Sequence, residues 1–302
     1  MYVCEGALLS LIVLFLPLTA PHVVHRFSDV PECEQFFLDQ TPPEISGILA
    51  GGNVQDQNRY KVICQFFNNT YRFATLYDTS NRIPVFSAYK FIGKKENTRR
   101  NDVEQWYIEP QLEEPEKEMM LANQRKYEKQ ATLGDYNNSI NTSNVNKGHL
   151  FPKQHASDQN TANSTFTLTN IVPQNKDFNK GAWNRMEGNV IALMNKHCNG
   201  TNGNIEAYVV TGAVPGNQTL ASRVNIPKLM WTAFCCKTND GQWMSKAHWG
   251  ENVNTTGTME TKTVTELQEK LNEIYEAVKI FPQQGEAPLR SSTLVMYEGS
   301  AE

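Results

Sequence analysis

Three consecutive segments in the first third of the chain alternate aromatic or β-branched residues with polar ones, at residues 60–67, 71–77 and 83–92. In an extended strand successive side chains point to opposite faces, so this alternation is typical of strands in a sheet. The sequences Asn68-Asn69 and Asp78-Thr79-Ser80-Asn81, which separate the segments, are typical of tight turns. The pattern therefore predicts an antiparallel meander.

A helical pattern follows in the second half of the chain. Residues 135–147 form a polar, Asn-rich segment that predicts a loop, and residues 164–172 alternate in a way that predicts a short strand. Asn179 can begin a helix as its N-cap, and residues 200–204 can end it. The apolar residues that recur at helical spacing are Trp183, Met186, Val190, Ile191, Leu193 and Met194. They predict one buried stripe along this helix.

Three apolar segments and a second helix complete the pattern. Residues 205–214, 228–238 and 242–249 are predicted strands, and the Asn-Asp-Gly turn between the last two predicts a hairpin. Thr263 and Glu266 have the spacing of a capping box, which predicts that a helix begins there.

The composition is that of a folded protein. The chain has 302 residues, 39% of them hydrophobic and 20% charged, so it can bury a core. The sequence has no repeat of 20 to 50 residues and no clear linker, so it favours one α+β domain over residues 25–281. The residues that follow, 282–302, are predicted to be a disordered tail. The net charge of -4 means that any polyanion would meet a local basic patch. Beyond the N-terminus no segment approaches the roughly 18 apolar residues of a membrane helix, so no span is expected.

The N-terminal segment predicts the compartment. Residues 7–18 form an almost wholly apolar run that is too short to span a bilayer. Small residues follow it, so residues 1–22 are predicted to be a secretory signal peptide and the protein to be secreted; the alternative is an N-terminal core strand or helix. Sequons for N-glycosylation agree with secretion, and they begin at Asn68, Asn137, Asn141, Asn163, Asn199, Asn217 and Asn254.

Removal of the predicted leader leaves five cysteines, an odd number in an oxidising compartment. Cys235 and Cys236 are adjacent, so on a strand they point to opposite faces and one of them can pair with Cys198. A bridge between Cys33 and Cys64 is then the simplest second pair. A zinc site would need ligands paired at short spacing, and the sequence has neither Cys-x-x-Cys nor His-Glu-x-x-His.

The sequence lacks the phosphate-binding P-loop, the dinucleotide-binding Gly-x-Gly-x-x-Gly and the Gly-x-Ser-x-Gly nucleophile elbow. NTPase, dinucleotide-dependent and esterase functions therefore have no support. Polar residues instead concentrate in Asn146-Lys147-Gly148-His149, in Thr169-Asn170-Ile171-Val172-Pro173-Gln174 and in Asn179-Lys180-Gly181-Ala182-Trp183, with Glu187 beyond them. Singly these residues are ordinary: a loop histidine, a turn asparagine, a helix cap and a solvated helix residue.

Together they suit the hydrolysis of a phosphodiester, which needs a base near neutral pH, a hard cation and positive charge for the transition state. His149 titrates in the right range. Mg²⁺ prefers oxygen ligands and keeps several waters, so one amide oxygen from Asn179, with water-mediated help from Asn170 and Glu187, is adequate. Asn179 and Glu187 are eight residues apart, which places them about 80° apart around a regular helix and lets both approach one site.

The three segments resemble the DNA/RNA non-specific endonuclease family. That family's ββα-metal motif has an Asp-Arg-Gly-His box, an Asn-Ile-x-Pro-Gln strand end and an Asn-x-Gly-x-Trp helix with a later Glu. The resemblance implies an α+β fold with antiparallel sheets around a ββα-metal (His-Me finger) nuclease core. It also implies an endonuclease that binds DNA and RNA through their phosphates and cuts both with little sequence preference.

The resemblance assigns a role to each residue of the pattern. His149 would be the general base that activates water, and Asn179 would be the direct ligand of Mg²⁺, with Mn²⁺ as an alternative metal. Asn170 and Glu187 would order the water shell of the metal and the surroundings of the histidine.

Positive charge completes the implied site. Arg99 or Arg100 would stabilise the pentacovalent transition state. The family's Asp-Arg before Gly-His is here Asn146-Lys147, so a negative charge is lost and a forked guanidinium becomes a point-charge ammonium. If the missing arginine held a phosphate with about 1.5–3 kcal/mol, its loss would slow cleavage about ten- to a hundredfold. The alternative is a secreted glycoprotein of nuclease fold with weak or lost catalysis that acts as a binding protein; an adhesive or structural glycoprotein is a third hypothesis.

Overall fold

The computed structural model describes residues 20, 22–94, 105–123, 125–137, 143–255 and 257–282. Most of the predicted leader, the predicted tail beyond Pro282, and both Arg99 and Arg100 lie outside the described residues. None of the helices in these ranges is long and apolar enough to cross a membrane.

A seven-stranded antiparallel sheet forms the centre of the fold, in the order β1-β5-β6-β7-β12-β15-β16. Four smaller sheets pair β10 with β11, β13 with β14, β8 with β9, and β17-β2-β3-β4. The strands are β1 (Val23–Val24), β2 (Glu44–Ile45), β3 (Leu49–Ala50), β4 (Asn53–Val54), β5 (Tyr60–Phe66), β6 (Tyr71–Asp78), β7 (Ile83–Phe91), β8 (Tyr107–Ile108), β9 (Met120–Leu121), β10 (Val145–His149), β11 (Ile171–Asn175), β12 (Ala207–Val214), β13 (Gln218–Leu220), β14 (Val224–Ile226), β15 (Leu229–Lys237), β16 (Trp243–Glu251) and β17 (Val278–Lys279).

Short helices connect and cover these strands. The α-helices are α1 (Pro31–Glu34), α2 (Leu133–Asn137), α3 (Gln159–Ser164), α4 (Lys176–Phe178), α5 (Asn184–His197) and α6 (Val264–Asn272). The 3-10 turns are Phe27–Asp29, Leu38–Gln40, Pro110–Leu112, Lys153–His155 and Leu168–Asn170, and a π-helical turn spans Asn179–Trp183. The predicted meander is therefore confirmed as β5, β6 and β7, and the predicted capping box begins α6.

The central sheet separates two hydrophobic cores. Along β7, Phe86 and Ala88 pack into the first core, and Tyr89 and Phe91 pack into the second. The N-terminal turns and α6 cover the first face, whereas β10, β11 and the helical residues 176–197 cover the second. The segments singled out for their polar residues thus form one layer on one face of the sheet.

Both disulfides have the predicted pairing. Cys33 bonds Cys64 in the first core, and Cys198 bonds Cys236 in the second. Cys235 is buried and forms no disulfide with the other described cysteines, because its side chain faces the first core while that of Cys236 faces the second.

The strand predicted at residues 164–172 is wrong over most of its length. This segment contains the end of α3 and the 3-10 turn Leu168–Asn170, and β11 begins only at Ile171. Local side-chain hydrogen bonds explain the difference: the Thr165 hydroxyl donates to the Ala162 carbonyl at 2.8 Å. Ser and Thr hydroxyls that bond nearby backbone groups compete with strand pairing and turn the chain.

The predicted start of the long helix is also displaced. The helical run begins at Lys176, because the Asn175 side chain accepts hydrogen bonds from the backbone N–H groups of Asp177 and Phe178 at 3.0 and 3.2 Å. Asn175, not Asn179, is therefore the N-cap. The predicted loop over residues 135–147 likewise contains the end of α2 and the start of β10.

Candidate active site

The antiparallel pair of β10 and β11 places the first two polar segments side by side. His149 lies opposite Ile171, Gly148 opposite Val172, and Lys147 opposite Pro173. The Gln174 side chain crosses Gly148 so closely that a Cβ atom at position 148 would lie 2.2 Å from its Oε1. Glycine is therefore required at this position of the pair.

The helical run that follows β11 reverses direction and brings Glu187 back to the His149 end of the pair. The Glu187 carboxylate accepts a 2.6 Å hydrogen bond from the Gln154 amide, and the Glu187 carbonyl lies 3.2 Å from the His155 Nε2 atom, so Glu187 lies beside the turn that follows His149 along the chain. The π turn Asn179–Trp183 also absorbs one extra residue. Gly181 within this turn has non-helical backbone angles (φ -99°, ψ -107°), so the chain is kinked there and the 80° separation predicted for a regular helix does not describe Asn179 and Glu187.

His149 is half-buried at the end of β10 and lies between two aromatic rings. Its ring centre is 4.9 Å from that of Phe166 and 5.5 Å from that of Trp106. Burial, aided by the charges of Lys153 and Lys147, lowers the pKa of His149 to about 4. The imidazole is therefore neutral at physiological pH, and its Nε2 atom is buried without a hydrogen-bond partner among the described residues. A neutral imidazole can accept a proton.

Asn170 lies beneath the histidine and does not reach an open site. It is fully buried, and its Oδ1 accepts hydrogen bonds from the Ser87 hydroxyl at 2.9 Å and the Phe151 N–H at 3.0 Å. Its Nδ2 donates to the carbonyls of Phe151 and Thr165 at 3.1 and 3.0 Å. The carboxamide thus fixes the backbone two residues beyond His149, so its contribution to the histidine's surroundings is indirect.

Glu187 occupies a buried polar network that the sequence did not reveal. Burial raises the pKa of Glu187 to about 7, although a 2.6 Å hydrogen bond from the Gln154 amide opposes the rise. The His155 Nε2 group donates to the Glu187 carbonyl at 3.2 Å, and the Tyr89 hydroxyl lies 2.8 Å from His155 Nδ1. The turn Lys153–His155 therefore connects the end of the β10 segment to the helix that carries Glu187.

Two lysines surround the same aromatic rings. The Lys147 ammonium lies 5.0 Å from the centre of the Trp106 ring, and the Lys153 ammonium lies 5.5 Å from that of Phe166. Both distances suit cation–π interactions. Trp106 and Phe166 were absent from the predicted site, because neither residue stands in the pattern of polar residues; only their position in the fold identifies them.

The donor set of this region suits a hydrated hard cation. Among the described residues no three His, Cys, Asp or Glu side chains group in a way that could bind a metal. Mg²⁺ does not require such a group, since it keeps several waters and accepts few protein ligands. Asn179 is half-buried, and both side-chain polar atoms of Gln174 are buried without a partner in the described part of the chain. Water or a hydrated ion would satisfy such atoms.

The structure thus places Lys147 and His149 on β10, Asn170 in the turn immediately before β11, and Asn179 and Glu187 on the helical run that follows β11. This is the strand–strand–helix order predicted from the three segments. Arg99 and Arg100, predicted to stabilise the transition state, lie outside the described residues.

Comparison with known proteins identifies the family to which the chain is similar. A sequence model of the DNA/RNA non-specific endonuclease family matches residues 52–283. The endonuclease domain-containing 1 protein of Homo sapiens is 32% identical over 222 residues, which cover 70% of this chain and 40% of that protein. Its counterpart from Mus musculus is 32% identical over 225 residues, with the same shares. The chain therefore spans about 40% of the length of these relatives.

A solved structure shares the fold. A chain in the crystal structure of the EndoG/EndoGI complex matches with a TM-score of 0.53 and 17% identity, over 72% of this chain and 86% of that chain. The predicted α+β fold with antiparallel sheets and a ββα-metal nuclease core is confirmed.

Proposed function

Because this chain belongs to the DNA/RNA non-specific endonuclease family, we propose that it is a secreted, metal-dependent endonuclease that hydrolyses phosphodiester bonds of DNA and RNA. The observation that carries the proposal is the state of His149. The ring is neutral, half-buried and flanked by two lysines, and its Nε2 atom has no partner among the described residues.

His149 acts in this proposal as the general base. Its free ring nitrogen takes a proton from the water that attacks the phosphorus atom. Lys147 and Lys153 place positive charge beside the ring, where it attracts the phosphate and offsets the extra negative charge of the transition state. Arg99 or Arg100 would add a guanidinium to the same phosphate.

Asn179 is the proposed ligand of Mg²⁺, with Mn²⁺ as an alternative. When bound, the cation polarises the phosphate oxygens and stabilises the leaving oxygen. Glu187 carries the only described carboxylate with a markedly raised pKa, about 7. In the ionised form it can accept hydrogen bonds from water molecules, and Gln154 holds it in place.

Secretion is supported by three observations. The sequence has an apolar N-terminal run and several sequons, and the fold contains two disulfides. Disulfides persist in oxidising compartments. We therefore propose an extracellular or luminal glycoprotein.

One observation favours a second candidate, a nuclease-fold protein that binds nucleic acid or another partner with weak or lost catalysis. Where the family has Asp-Arg, this chain has Asn146-Lys147, and the Lys147 ammonium lies against Trp106. A single ammonium cannot form the paired hydrogen bonds by which a guanidinium holds a phosphate.

Cleavage of plasmid DNA and of RNA by the purified secreted protein tests the proposal, with Mg²⁺ or with EDTA. We expect cleavage that depends on the metal and is lost in His149→Ala. The matched control is His25→Ala, since His25 is exposed and bonds only Gln57 among the described residues. An absence of metal-dependent cleavage above the level of His149→Ala would favour the binding protein.

A further inference from the structure

Trp106 stands beside the general base but has no role in the chemistry proposed so far. Its ring centre is 5.5 Å from that of His149, and its side chain is half-buried, so part of the indole is open to solvent. Phe166, which touches both rings, is only 7% exposed and so serves as the floor of the cluster.

The backbone holds Trp106 firmly in this place. The Trp106 carbonyl accepts a 2.7 Å hydrogen bond from the Ala122 N–H in the hairpin of β8 and β9. The next residue, Tyr107, donates a 2.8 Å backbone hydrogen bond to the Phe166 carbonyl. A surface that is rigid before its ligand arrives loses little entropy when the ligand binds.

The groups around Trp106 indicate the chemical class of ligand that would bind there. Lys147 and His149 are two residues apart on β10, so both side chains lie on the face of the strand that meets the indole. A ligand on this surface thus meets an aromatic ring together with positive charge and the group that acts on a phosphate. Nucleotides join a flat base to a phosphate through a single sugar, and aromatic side chains bind bases by stacking.

We propose that Trp106 forms a binding site for the nucleobase next to the phosphate that is cut. This inference rests on the proposed function, because the phosphate has to lie beside His149. Stacking tolerates every base, so the site would not select a sequence. It would favour flexible or unpaired strands, whose bases are free to stack on the indole. In paired duplex DNA the neighbouring bases already occupy both faces of each base.

Binding without cleavage tests the site. The probes are a short fluorescent oligothymidylate and an abasic oligomer of the same length that keeps every phosphate, with affinities measured by fluorescence anisotropy in EDTA. We expect Trp106→Leu, which keeps apolar packing without a ring, to weaken oligothymidylate binding about tenfold and abasic binding less than about twofold. Trp106→Phe should retain most of the affinity of the parent.

A matched control lies on the central sheet. Lys237 lies 4.9 Å from the ring centre of Trp243, which is 37% exposed, so this pair repeats the lysine–tryptophan contact in β15 and β16. Trp243→Leu should leave both affinities unchanged. Equal weakening of the two probes by Trp106→Leu, or no weakening of the oligothymidylate, overturns the proposal.

The cleavage assay separates this inference from the proposed function. If the parent does not cut but Trp106→Leu lowers only the oligothymidylate affinity, Trp106 binds a nucleobase in a protein that does not cleave, and the endonuclease proposal fails. If the parent cuts with Mg²⁺ while Trp106→Leu binds both probes like the parent, the endonuclease proposal stands and the base site fails.

Discussion

The Gln154 amide donates a 2.6 Å hydrogen bond to the Glu187 carboxylate, and this contact joins the turn beyond β10 to the helical run beside it. Burial raises the pKa of Glu187 to about 7, while the bond from Gln154 favours the charged form. The protonation state of Glu187 therefore changes within the physiological range, and both metal dependence and stability should respond to it.

Removal of the Gln154 amide should make the enzyme more dependent on Mg²⁺. Gln154→Ala takes away a donor to the carboxylate, so the pKa of Glu187 rises further and less of it is ionised near neutral pH. The Mg²⁺ concentration for half-maximal cleavage should rise about three- to tenfold near pH 7 and less at higher pH. Gln159→Ala is the control, because that amide donates to Asn163 within α3. Equal Mg²⁺ dependence in the parent and in Gln154→Ala would exclude this role.

Replacement of Glu187 by Gln should stabilise the fold at high pH in EDTA. Because the pKa of Glu187 is raised from 4.5 to about 7, the folded state binds its proton more tightly than the unfolded state. Protonated Glu187 thus makes its full contribution to the stability of the fold below about pH 4.5, and this contribution is lost as the pH rises through 7 and the buried carboxyl ionises. Glu187→Gln removes this loss, so it should gain on the order of 2 kcal/mol at about pH 8 and little at about pH 5. Urea unfolding measures the difference, and a gain that is independent of pH would contradict the account.

Local signals determined which elements could be predicted. The meander of β5–β7 and the capping box at Thr263 depend on neighbouring residues, so the sequence specifies both. Two asparagines near the long helix could each serve as its cap, and only the observed bonds to Asn175 decide between them. The hydrogen bond from the Thr165 hydroxyl to the Ala162 carbonyl holds this segment in a turn at the end of α3, where the alternation of residues predicted a strand.

The site itself was only partly predictable, for a physical reason. His149, Asn170, Asn179 and Glu187 follow one another within a single strand–strand–helix unit, so their order along the chain reflects their arrangement in space. Trp106 comes from a distant segment and reaches the histidine through pairing of its neighbour Tyr107 with the Phe166 backbone. No pattern in a single sequence reports such a contact.

The lysine before Gly148 should limit the rate. Lys147→Arg restores a forked guanidinium that can hold a phosphate through two hydrogen bonds and can still stack on Trp106. We expect kcat/KM for DNA to rise about ten- to a hundredfold, and more when Asn146→Asp is added. Lys153→Arg, which alters a second lysine of the same cluster, should change the rate far less. Parity between Lys147→Arg and the parent would show that the ammonium already suffices.

Substitution of two glycines by alanine should change the stability of the fold in opposite directions. Gly148→Ala places a Cβ 2.2 Å from Oε1 and 2.5 Å from Cβ of Gln174, so β10 and β11 must separate, at a cost of about 1–3 kcal/mol. Gly188 lies in α5, and a Cβ added there would have no neighbour within 4 Å, so Gly188→Ala should stabilise the helix by about 0.5–1 kcal/mol. Urea denaturation compares the two variants. Equal stability of Gly148→Ala and the parent would contradict the close packing of this pair.

In the proposed reaction the imidazole of His149 takes the proton from the attacking water. Single-turnover cleavage of DNA with Mg²⁺ by His149→Ala, with and without added imidazole, measures this role. We expect a loss of about a hundredfold or more, and partial recovery with imidazole, which can enter the space left by the ring. Cleavage by His149→Ala at the rate of the parent would contradict the account.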